Sequence, residues 1–254
     1  MARKDIPLQE SPWKFVRTQD GSPSLVLSSE IGVEEWMHNS FGAFEESVFI
    51  YGAALEKAFE WHLPRYEVFS LGLGLAYNEF IAASLALKLG TSSSVFIESY
   101  ETVAPLREFI VNYLERRSVP EGFQHAYDWI AEACTKRFEI QRQELLSLLL
   151  EWKQSNQWQI KEGFHPSNFQ SCTRFHVFLY DAFSRKMNPE LWTEESLQKF
   201  LLDHSQIPAI FATYAATGAL NRALKANEFV LLDQPGFAGK RQSTMAIRTQ
   251  HPKI

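Results

Sequence analysis

The residues of this sequence that are best placed for chemistry lie at the end of an apolar run. The run from Phe175 to Tyr180 is rich in aromatic and β-branched residues, which is typical of a fully buried strand. Asp181 follows it directly, and Phe183 comes shortly after. Ligands of open α/β sheets bind outside the carboxyl ends of the strands, so we expect Asp181 to face a pocket with Phe183 packed beside it. The alternative is that Asp181 only caps a loop.

A glycine-rich turn earlier in the chain indicates a second part of a site. Residues 66–71 are predicted as a strand, and residues 79–89 as a helix. Gly72 and Gly74 lie in the turn between them. Glycine lets the backbone approach a ligand, and the start of a helix offers free N–H groups, so this arrangement is the context of nucleotide binding. A tight turn without a ligand is the alternative.

The next predicted strand ends in an acid. Residues 94–97 are strand-like, and Glu98 follows them. A carboxylate at that place is well positioned to accept both hydroxyls of a ribose, and the alternative is an ordinary surface acid. The glycine turn and Glu98 together, at βαβ spacing, predict a nucleoside pocket.

The positions of the small residues in the turn distinguish between nucleoside cofactors. A dinucleotide fingerprint requires Gly or Ala at its third position, which falls here on Tyr77, and a bulky side chain there would obstruct packing of the helix on the strand. The small residue is instead Ala76, which produces the G-x-G-x-A spacing of S-adenosylmethionine sites. Because that ligand has no pyrophosphate, the turn favours a methyl donor over NAD.

The composition limits the class of protein. The chain has 254 residues, of which 45% are hydrophobic, and this is enough for a large domain with a real core. The net charge of −5 argues against bulk electrostatic binding to nucleic acid. Residues 234–254 nevertheless contain basic residues and no acid, so a local surface for an anionic partner and a solvated terminus stay open as alternatives.

Cysteine, histidine and hydropathy patterns predict neither a metal site nor a membrane segment. Cys134 and Cys172 form no spaced pair, and the histidines are scattered without an HExxH motif. No apolar run approaches the length of a membrane span, and the N-terminus has no apolar signal region. We therefore expect a soluble, cytoplasmic protein without a metal.

The remaining segments complete the predicted architecture. Residues 1–60 are predicted as an N-terminal extension of strands, turns and a helix that could cover a site. Residues 101–155 are predicted as a helical insertion, because one crossover between strands does not need this much chain. Its leucines at 145–150 are interpreted as core or as contacts to a protein partner.

The order of the predicted strands indicates the fold. Strands at 158–161, 175–180 and 208–214 follow the first two, and strands at 229–232 and 243–248 are joined by a short loop without a helix, so they must be antiparallel. Five parallel strands and an antiparallel hairpin predict an α/β, Rossmann-like class I S-adenosylmethionine-dependent methyltransferase fold with a seven-stranded sheet. We expect residues 1–254 to form a single methyltransferase-like domain.

Four segments resemble motifs of the MnmC-like methyltransferases. DAFSRKMNPELWTEE at 181–195 looks like D-[AG]-F-[SA]-P-x-x-N-P-[ED]-[LM]-W-T, and residues 212–241 are similar to a motif that ends in G-[FY]-G-x-K-R. DGSPSL at 20–25 and HNSFGAFEESVFIYG at 38–52 look like D-G-S-x-T-L and H-S-x-x-G-A-x-x-E-[ST]-x-x-V-F-x-x-G. The resemblance covers roughly 18–98 and 175–248.

The resemblance implies a specific reaction. Methyltransferase domains of this family transfer a methyl group from S-adenosylmethionine to the aminomethyl group of 5-aminomethyl-2-thiouridine at the tRNA wobble position. Some members carry an additional FAD oxidase domain, for which this chain is too short, so we expect the methyl step alone. The anticodon region of tRNA is the implied partner. The residues assigned to the cofactor are Gly72, Gly74, Ala76, Asn78, Glu98 and Asp181.

The chain also departs from the family pattern. Ser70 replaces an acid in the first strand motif, and Ala76 replaces its last glycine. The Gly-Asp pair that ends the family's third strand has no matching aspartate near Gly163. Arg185 stands where proline is usual, and Asn221 where the first of two arginines is usual.

Asp181 is the predicted catalytic residue. It can hold the acceptor amine by a hydrogen bond and orient its lone pair for in-line attack. Because its negative charge favours the protonated amine, we expect positioning to contribute more than strong base catalysis.

Other residues are predicted to bind the tRNA. Phe183 and Tyr214 are expected to stack on the extruded uracil ring, with core packing as the alternative. Arg185, Lys240 and Arg241 are expected to contact phosphates. Two further functions stay open: an inactive methyltransferase-fold binding or scaffolding protein, favoured by the altered glycine motif and the helical insertion, and a methyltransferase for another amine, favoured by the net negative charge.

Overall fold

Seven strands form one central sheet in the computed structural model, which describes residues 13–28, 34–166, 169, 171–239 and 243–249. Short 3-10 turns lie at Ser92–Ser94, Pro189–Trp192 and Phe237–Gly239. The other elements, in chain order, are β1 (Trp13–Arg17), β2 (Pro23–Ser28), β3 (Glu34–Trp36), α1 (Ala43–Ser47), a π-helical turn (Val48–Gly52), α2 (Ala53–Phe59), β4 (Tyr66–Leu71), α3 (Tyr77–Leu89), β5 (Val95–Glu101), α4 (Ala104–Leu114), α5 (Glu121–Phe138), α6 (Arg142–Gln154), β6 (Trp158–Glu162), β7 (Phe175–Tyr180), α7 (Glu194–His204), β8 (Ser205–Thr213), α8 (Gly218–Ala226), β9 (Val230–Leu231) and β10 (Thr244–Arg248).

The strand order of the sheet is β6-β5-β4-β7-β8-β10-β9. The first five strands in this order are parallel, with β4 paired between β5 and β7. β10 lies between β8 and β9 and is antiparallel to both. The predicted α/β, Rossmann-like methyltransferase fold, with seven strands and a C-terminal antiparallel pair, is therefore confirmed.

The sheet separates two apolar cores because successive side chains of a strand point to opposite faces. Val68 and Ile97 face the helices α1 to α6 on one side. Phe69 faces the other side, where its ring lies 5.0 Å from Tyr100 and 5.0 Å from Phe200 of α7. Burial on both faces explains why the parallel strands read as apolar runs in the sequence.

The region between β5 and β6 folds as three helices. The chain breaks between α5 and α6 at Glu139, which is left-handed at φ 58°. Leu145 and Leu149 are fully buried in the core shared with α3, so these leucines are core residues. A protein partner of this region would have to use the exposed faces of the helices.

The N-terminal segment forms its own small sheet and is fastened to the main one. β1, β2 and β3 pair antiparallel in that order. The turn between β1 and β2 is closed by Asp20, whose carboxylate accepts hydrogen bonds from Ser22 and Thr18. The hydroxyl of Tyr77, at the start of α3, donates to the Pro23 carbonyl at 2.6 Å. This contact holds the small sheet over the glycine turn that follows β4.

A buried acid lies beneath that turn. Glu79, in the first turn of α3, is 1% exposed and accepts hydrogen bonds from the hydroxyls of Ser70 (2.8 Å) and Ser99 (2.6 Å). Burial raises the pKa of Glu79 above its ordinary value of 4.5, although both hydrogen bonds oppose the rise. The carboxyl group therefore joins α3 to β4 and β5 but resists ionisation.

We expect Glu79→Gln to make the protein more stable than wild type at pH 8. The native state holds the Glu79 proton more tightly than the unfolded chain, so the stability from this site is present below pH 4.5 and is lost as the pH rises through the native pKa. Glutamine does not ionise and can still bond both serines. Urea unfolding between pH 4.5 and 8 measures the difference, with the exposed Glu151→Gln as the control. Parallel loss of stability in wild type and Glu79→Gln would contradict this.

Candidate active site

A cavity of about 440 Å³ opens at the carboxyl ends of the central strands. Its wall includes the turn after β4, the end of β5, the loop after β6 at Gly163 and Phe164, and the loop after β7 from Asp181 to Ser184. Residues 36–39 of the N-terminal segment, together with Glu46 and Tyr51, also line the cavity. This is the edge at which open α/β sheets bind ligands, and its volume suits a small molecule.

The glycine turn brings the ends of three strands together. Gly72 has φ +85°, and a Cβ atom there would lie 2.3 Å from the carbonyl oxygen of Asp181. The N–H groups of Gly72 and Leu73 donate to the Tyr100 carbonyl of β5, and the Asp181 N–H donates to the Leu71 carbonyl of β4. Gly74 is also left-handed, at φ +49°. The predicted turn is present, and its first glycine is required because backbone from β7 occupies the space of a side chain.

The acid at the end of β5 is Glu101, whereas Glu98, the residue predicted to bind the ribose, lies away from the cavity. β5 continues to Glu101, so Glu98 lies in the middle of the strand and is not on the cavity wall. Its carboxylate accepts the Tyr100 hydroxyl at 2.6 Å and binds the Lys161 ammonium at 2.7 Å. Glu101 lines the cavity and accepts the Gly74 N–H at 3.1 Å. The sequence did not show that β5 continues past Glu98, because the next residue, Ser99, is polar. In the structure this serine is buried against α3.

Two residues at the start of α3 differ from each other in their access to the cavity. Ala76, which was predicted to contact the cofactor, is fully buried in the left-handed conformation before the helix and is not on the wall. Asn78 is 3% exposed and does line the cavity. Its Oδ1 is buried without a hydrogen-bond partner in the described part of the chain. An orphaned acceptor on a cavity wall indicates a ligand with a hydrogen-bond donor.

Asp181 lines the cavity as predicted, and two groups from the N-terminal helix stand near it. Burial raises the pKa of the Tyr51 hydroxyl well above its usual value, and the negative charges of Asp181 and Glu46 raise it further. Glu46 is 5% exposed and accepts the Asn39 N–H at 2.7 Å. The site of Asp181 is thus assembled from β7 and from a helix far away in the sequence.

The predicted substrate residues fall into three groups. Phe183 lines the cavity, and its ring stacks on Trp13 at 6.3 Å. Tyr214 also lines the cavity, with its hydroxyl donating to the Ala182 carbonyl at 2.9 Å. Arg185 is exposed in the loop after β7 and is not on the cavity wall. Lys240 and Arg241 lie outside the described residues.

Sequence reasoning missed the residues that the N-terminal segment contributes. Trp36 lines the cavity and is 43% exposed. His38 lines it too, and its Nδ1 lies 3.0 Å from the Ser24 hydroxyl. Burial lowers the pKa of His38 to about 4, so the ring is neutral at pH 7. The motif at 38–52 was a signal that this segment matters, but it did not show which side chains face the cavity.

Metal-binding clusters and membrane-spanning helices are both absent from the described residues. Within these ranges no cluster of three or more His, Cys, Asp or Glu side chains is arranged to hold a metal ion. No helix in the same part of the chain is both long and apolar enough to cross a membrane.

Known proteins resemble the chain in sequence and in fold. Residues 158–249 match the model of a family described as S-adenosyl-L-methionine-dependent methyltransferase. The tRNA 5-methylaminomethyl-2-thiouridine biosynthesis bifunctional protein MnmC of Campylobacter hominis is 25% identical over 217 residues, which are 84% of this chain and 30% of that protein. The protein of the same name from Hahella chejuensis is 39% identical over 71 residues, 28% of this chain and 11% of that protein. The chain thus spans less than a third of these relatives.

A solved structure has the same fold. The crystal structure of MnmC2 from Aquifex aeolicus superposes with a TM-score of 0.64 at 22% identity, covering 94% of this chain and 71% of that one. The sheet order and this superposition show the fold, and the family match of residues 158–249 associates that fold with S-adenosyl-L-methionine-dependent methyltransferases. The MnmC relatives and this structure are similar to the chain, in agreement with the resemblance to MnmC-like methyltransferases that the sequence motifs indicate.

We expect Gly72→Ala to destabilise the protein by about 3 kcal/mol or more and to abolish ligand binding in the cavity. Gly90→Ala is the control, because Gly90 has φ +69° but nothing lies within 4 Å of its added Cβ. A left-handed alanine alone costs about 1–2 kcal/mol, so the excess measures the clash with the Asp181 carbonyl. Chemical denaturation of both variants tests this, and equal losses would contradict it.

Proposed function

We propose that the chain is an S-adenosylmethionine-dependent N-methyltransferase that acts on the 5-aminomethyl group of wobble (2-thio)uridine in tRNA. The observation that carries the proposal is the position of two carboxylates on one cavity wall, Glu101 after the glycine turn and Asp181 after β7. The names of the MnmC relatives add support for the tRNA nucleoside. A tRNA acceptor also agrees with the cytoplasmic location expected from the sequence.

The residues of the glycine-turn side fit the proposed cofactor. Glu101 keeps acceptor capacity for a ribose hydroxyl, since the described hydrogen bonds use each of its oxygens once. Asn78 Oδ1 offers a buried acceptor to an amino or hydroxyl group. The Gly163 and Phe164 segment supports an apolar nucleobase subsite. When bound, S-adenosylmethionine supplies an electrophilic methyl group.

The acids of the cavity fit ligands that carry positive charge. Glu46, Glu101, Asp181 and Glu190 all line it. A sulfonium and an alkylammonium are both cationic, and carboxylates in a cavity of reduced dielectric attract cations more strongly than in water. The same acids would disfavour a phosphate inside the cavity, so phosphates of the tRNA have to bind around its mouth.

Asp181 has two tasks in the proposed reaction. It holds the acceptor nitrogen by accepting an N–H hydrogen bond, which directs the nitrogen lone pair toward the methyl group. The new N–C bond forms as the S–C bond breaks, and the amine proton passes to Asp181 or to water. Because the carboxylate favours the ammonium form before reaction, its main contribution is orientation.

The aromatic groups at the mouth fit an extruded nucleobase. Phe183 is backed by Trp13, so its exposed side presents a ring to the cavity. Trp36 is half-exposed and also lines the cavity, so it provides a second ring for stacking on the base. Tyr214 lines the cavity between the backbone of Ala182 and the ring of Trp192. Base–aromatic stacking compensates for the stacking that the base loses in the tRNA. Arg185, Lys240 and Arg241 are proposed to contact the phosphates.

We expect Glu101→Gln to weaken S-adenosylmethionine binding by roughly 10- to 100-fold, since a hydrogen bond to a charged group contributes about 1.5–3 kcal/mol. Glu98→Gln is the matched control, because it makes the same change in a buried acid of the same strand that is not on the cavity wall. Isothermal titration calorimetry measures both variants. Loss of binding in Glu98→Gln with retention in Glu101→Gln would reverse the assignment.

We expect Asp181→Ala to lower kcat for methyl transfer by about 100-fold while S-adenosylmethionine still binds, because the acceptor nitrogen loses the hydrogen bond that orients it. The assay follows a labelled methyl group into tRNA that carries 5-aminomethyl-2-thiouridine, with the unmodified transcript of the same tRNA as control. Equal labelling of both RNAs would contradict the aminomethyl acceptor. Cofactor binding without labelling of either RNA would favour another amine, and absence of cofactor binding would favour the scaffolding function.

A further inference from the structure

The N-terminal helical segment changes its hydrogen-bond pattern where it passes the cavity. α1 and α2 are α-helical, and the turn between them, Val48–Gly52, is π-helical. Such turns are rare and occur frequently at functional sites, because the extra residue re-aims a side chain. The turn lies against α3, where Gly52 approaches the side chain of Ile81. The packing on α3 thus continues through the turn while one additional side chain, Tyr51, is directed to the cavity.

Tyr51 carries the polar side-chain group of this turn, whose other residues are apolar. It lines the cavity although it is only 1% exposed. Its hydroxyl is buried and forms no hydrogen bond of ideal geometry within the described residues, and the Asp181 side chain is the hydrogen-bonding group that acts on it. A buried hydroxyl without such a bond costs free energy, so a tyrosine at this place needs a compensating role. Phenylalanine would fill the same volume without that cost.

The surroundings of the hydroxyl point to the group that it serves. Asp181 and Glu46 lie close enough for their charges to act on it, and Tyr214 adds a further polar ring. Burial raises the pKa of Tyr51, so the hydroxyl keeps its proton throughout the neutral range and can act as a donor. A carboxylate can only accept, which makes a tyrosine hydroxyl and an ionised Asp181 a complementary pair.

We propose that Tyr51 is a positioning residue, whose hydroxyl donates a hydrogen bond to the Asp181 carboxylate and thereby fixes the carboxylate that holds the acceptor amine. The inference rests on the proposed function for the identity of the acceptor. The π-helical turn places the Tyr51 hydroxyl of the N-terminal segment near the end of β7.

The chain contains a matched control for the loss of this hydroxyl. Tyr127 of α5 is also fully buried, and its hydroxyl has no partner within the described ranges. It belongs to the core beside α3 and is not on the cavity wall. Tyr51→Phe and Tyr127→Phe therefore remove the same atom from equally buried positions, and only the first touches the site.

Kinetics of both variants with the aminomethyl tRNA form the first experiment. We expect Tyr51→Phe to lower kcat by roughly 5- to 30-fold, with the S-adenosylmethionine Kd and the tRNA KM changed by less than about 2-fold, because orientation in the transition state is lost. Tyr127→Phe should match wild type in all three constants. Tyr127→Phe should melt at or above the wild-type temperature, since it loses an unsatisfied hydroxyl. A wild-type kcat in Tyr51→Phe would overturn the proposal.

A second measurement does not depend on the acceptor. The carboxyl resonance of Asp181, assigned with Asp181→Asn in protein labelled with ¹³C-aspartate, is titrated in wild type and both variants. Loss of a donor to the charged form should raise the Asp181 pKa by about half a pH unit or more in Tyr51→Phe, and Tyr127→Phe should leave it unchanged. Glu46, Tyr214, Glu101, Glu190 and His38 also face this cavity and are the same in all three proteins. An unchanged Asp181 titration would overturn the bond, whereas an inactive wild type with the expected shift would overturn the proposed function alone.

Discussion

The close approach of the backbone of β7 to the turn after β4 is the constraint on which the rest of the site depends. The Asp181 carbonyl oxygen occupies the space that a Cβ atom at position 72 would need. This approach allows the Leu71 carbonyl to receive the Asp181 N–H, and it leaves the N–H groups of the turn directed to Tyr100 of β5. The ends of the parallel strands β4, β5 and β7 are joined in this way. Glu101 at the end of β5 and Asp181 after β7 therefore line the same cavity.

The second requirement is a cover for that cavity, and the N-terminal segment provides it. Tyr77 joins the segment to α3 through the Pro23 carbonyl, and its ring meets His38 edge-on at 5.0 Å. His38 stays neutral because burial lowers its pKa, so the ring packs without a compensating charge. The cover brings Glu46 and Tyr51 to the cavity that Glu101 also lines. An acidic cavity closed by its own chain suits cationic ligands of modest size.

Three buried glutamates near the glycine turn differ in their bonding partners and in their access to the cavity, because they occupy different positions. Glu79 bonds two serine hydroxyls beneath the turn and is kept from ionising by burial. Glu98 forms an ion pair with Lys161 on the far side of β5. Glu101 alone among the three lies on the cavity wall, where it accepts the Gly74 N–H. The first two acids organise the sheet, and the third is available to a ligand.

The sequence by itself determined the fold class, because apolar runs, helical periodicity and the loop between β9 and β10 are local signals. It also determined the glycine turn and the place of Asp181, since both follow directly from a buried strand. The tertiary structure decided which acid ends β5: Ser99 looks like the end of the strand, yet it is buried against Glu79. It also decided that Ala76 is enclosed and that Trp36, Glu46 and Tyr51 reach the cavity. These contacts join residues far apart in the chain, and no local pattern of residue types encodes the direction in which a side chain points when two distant segments pack.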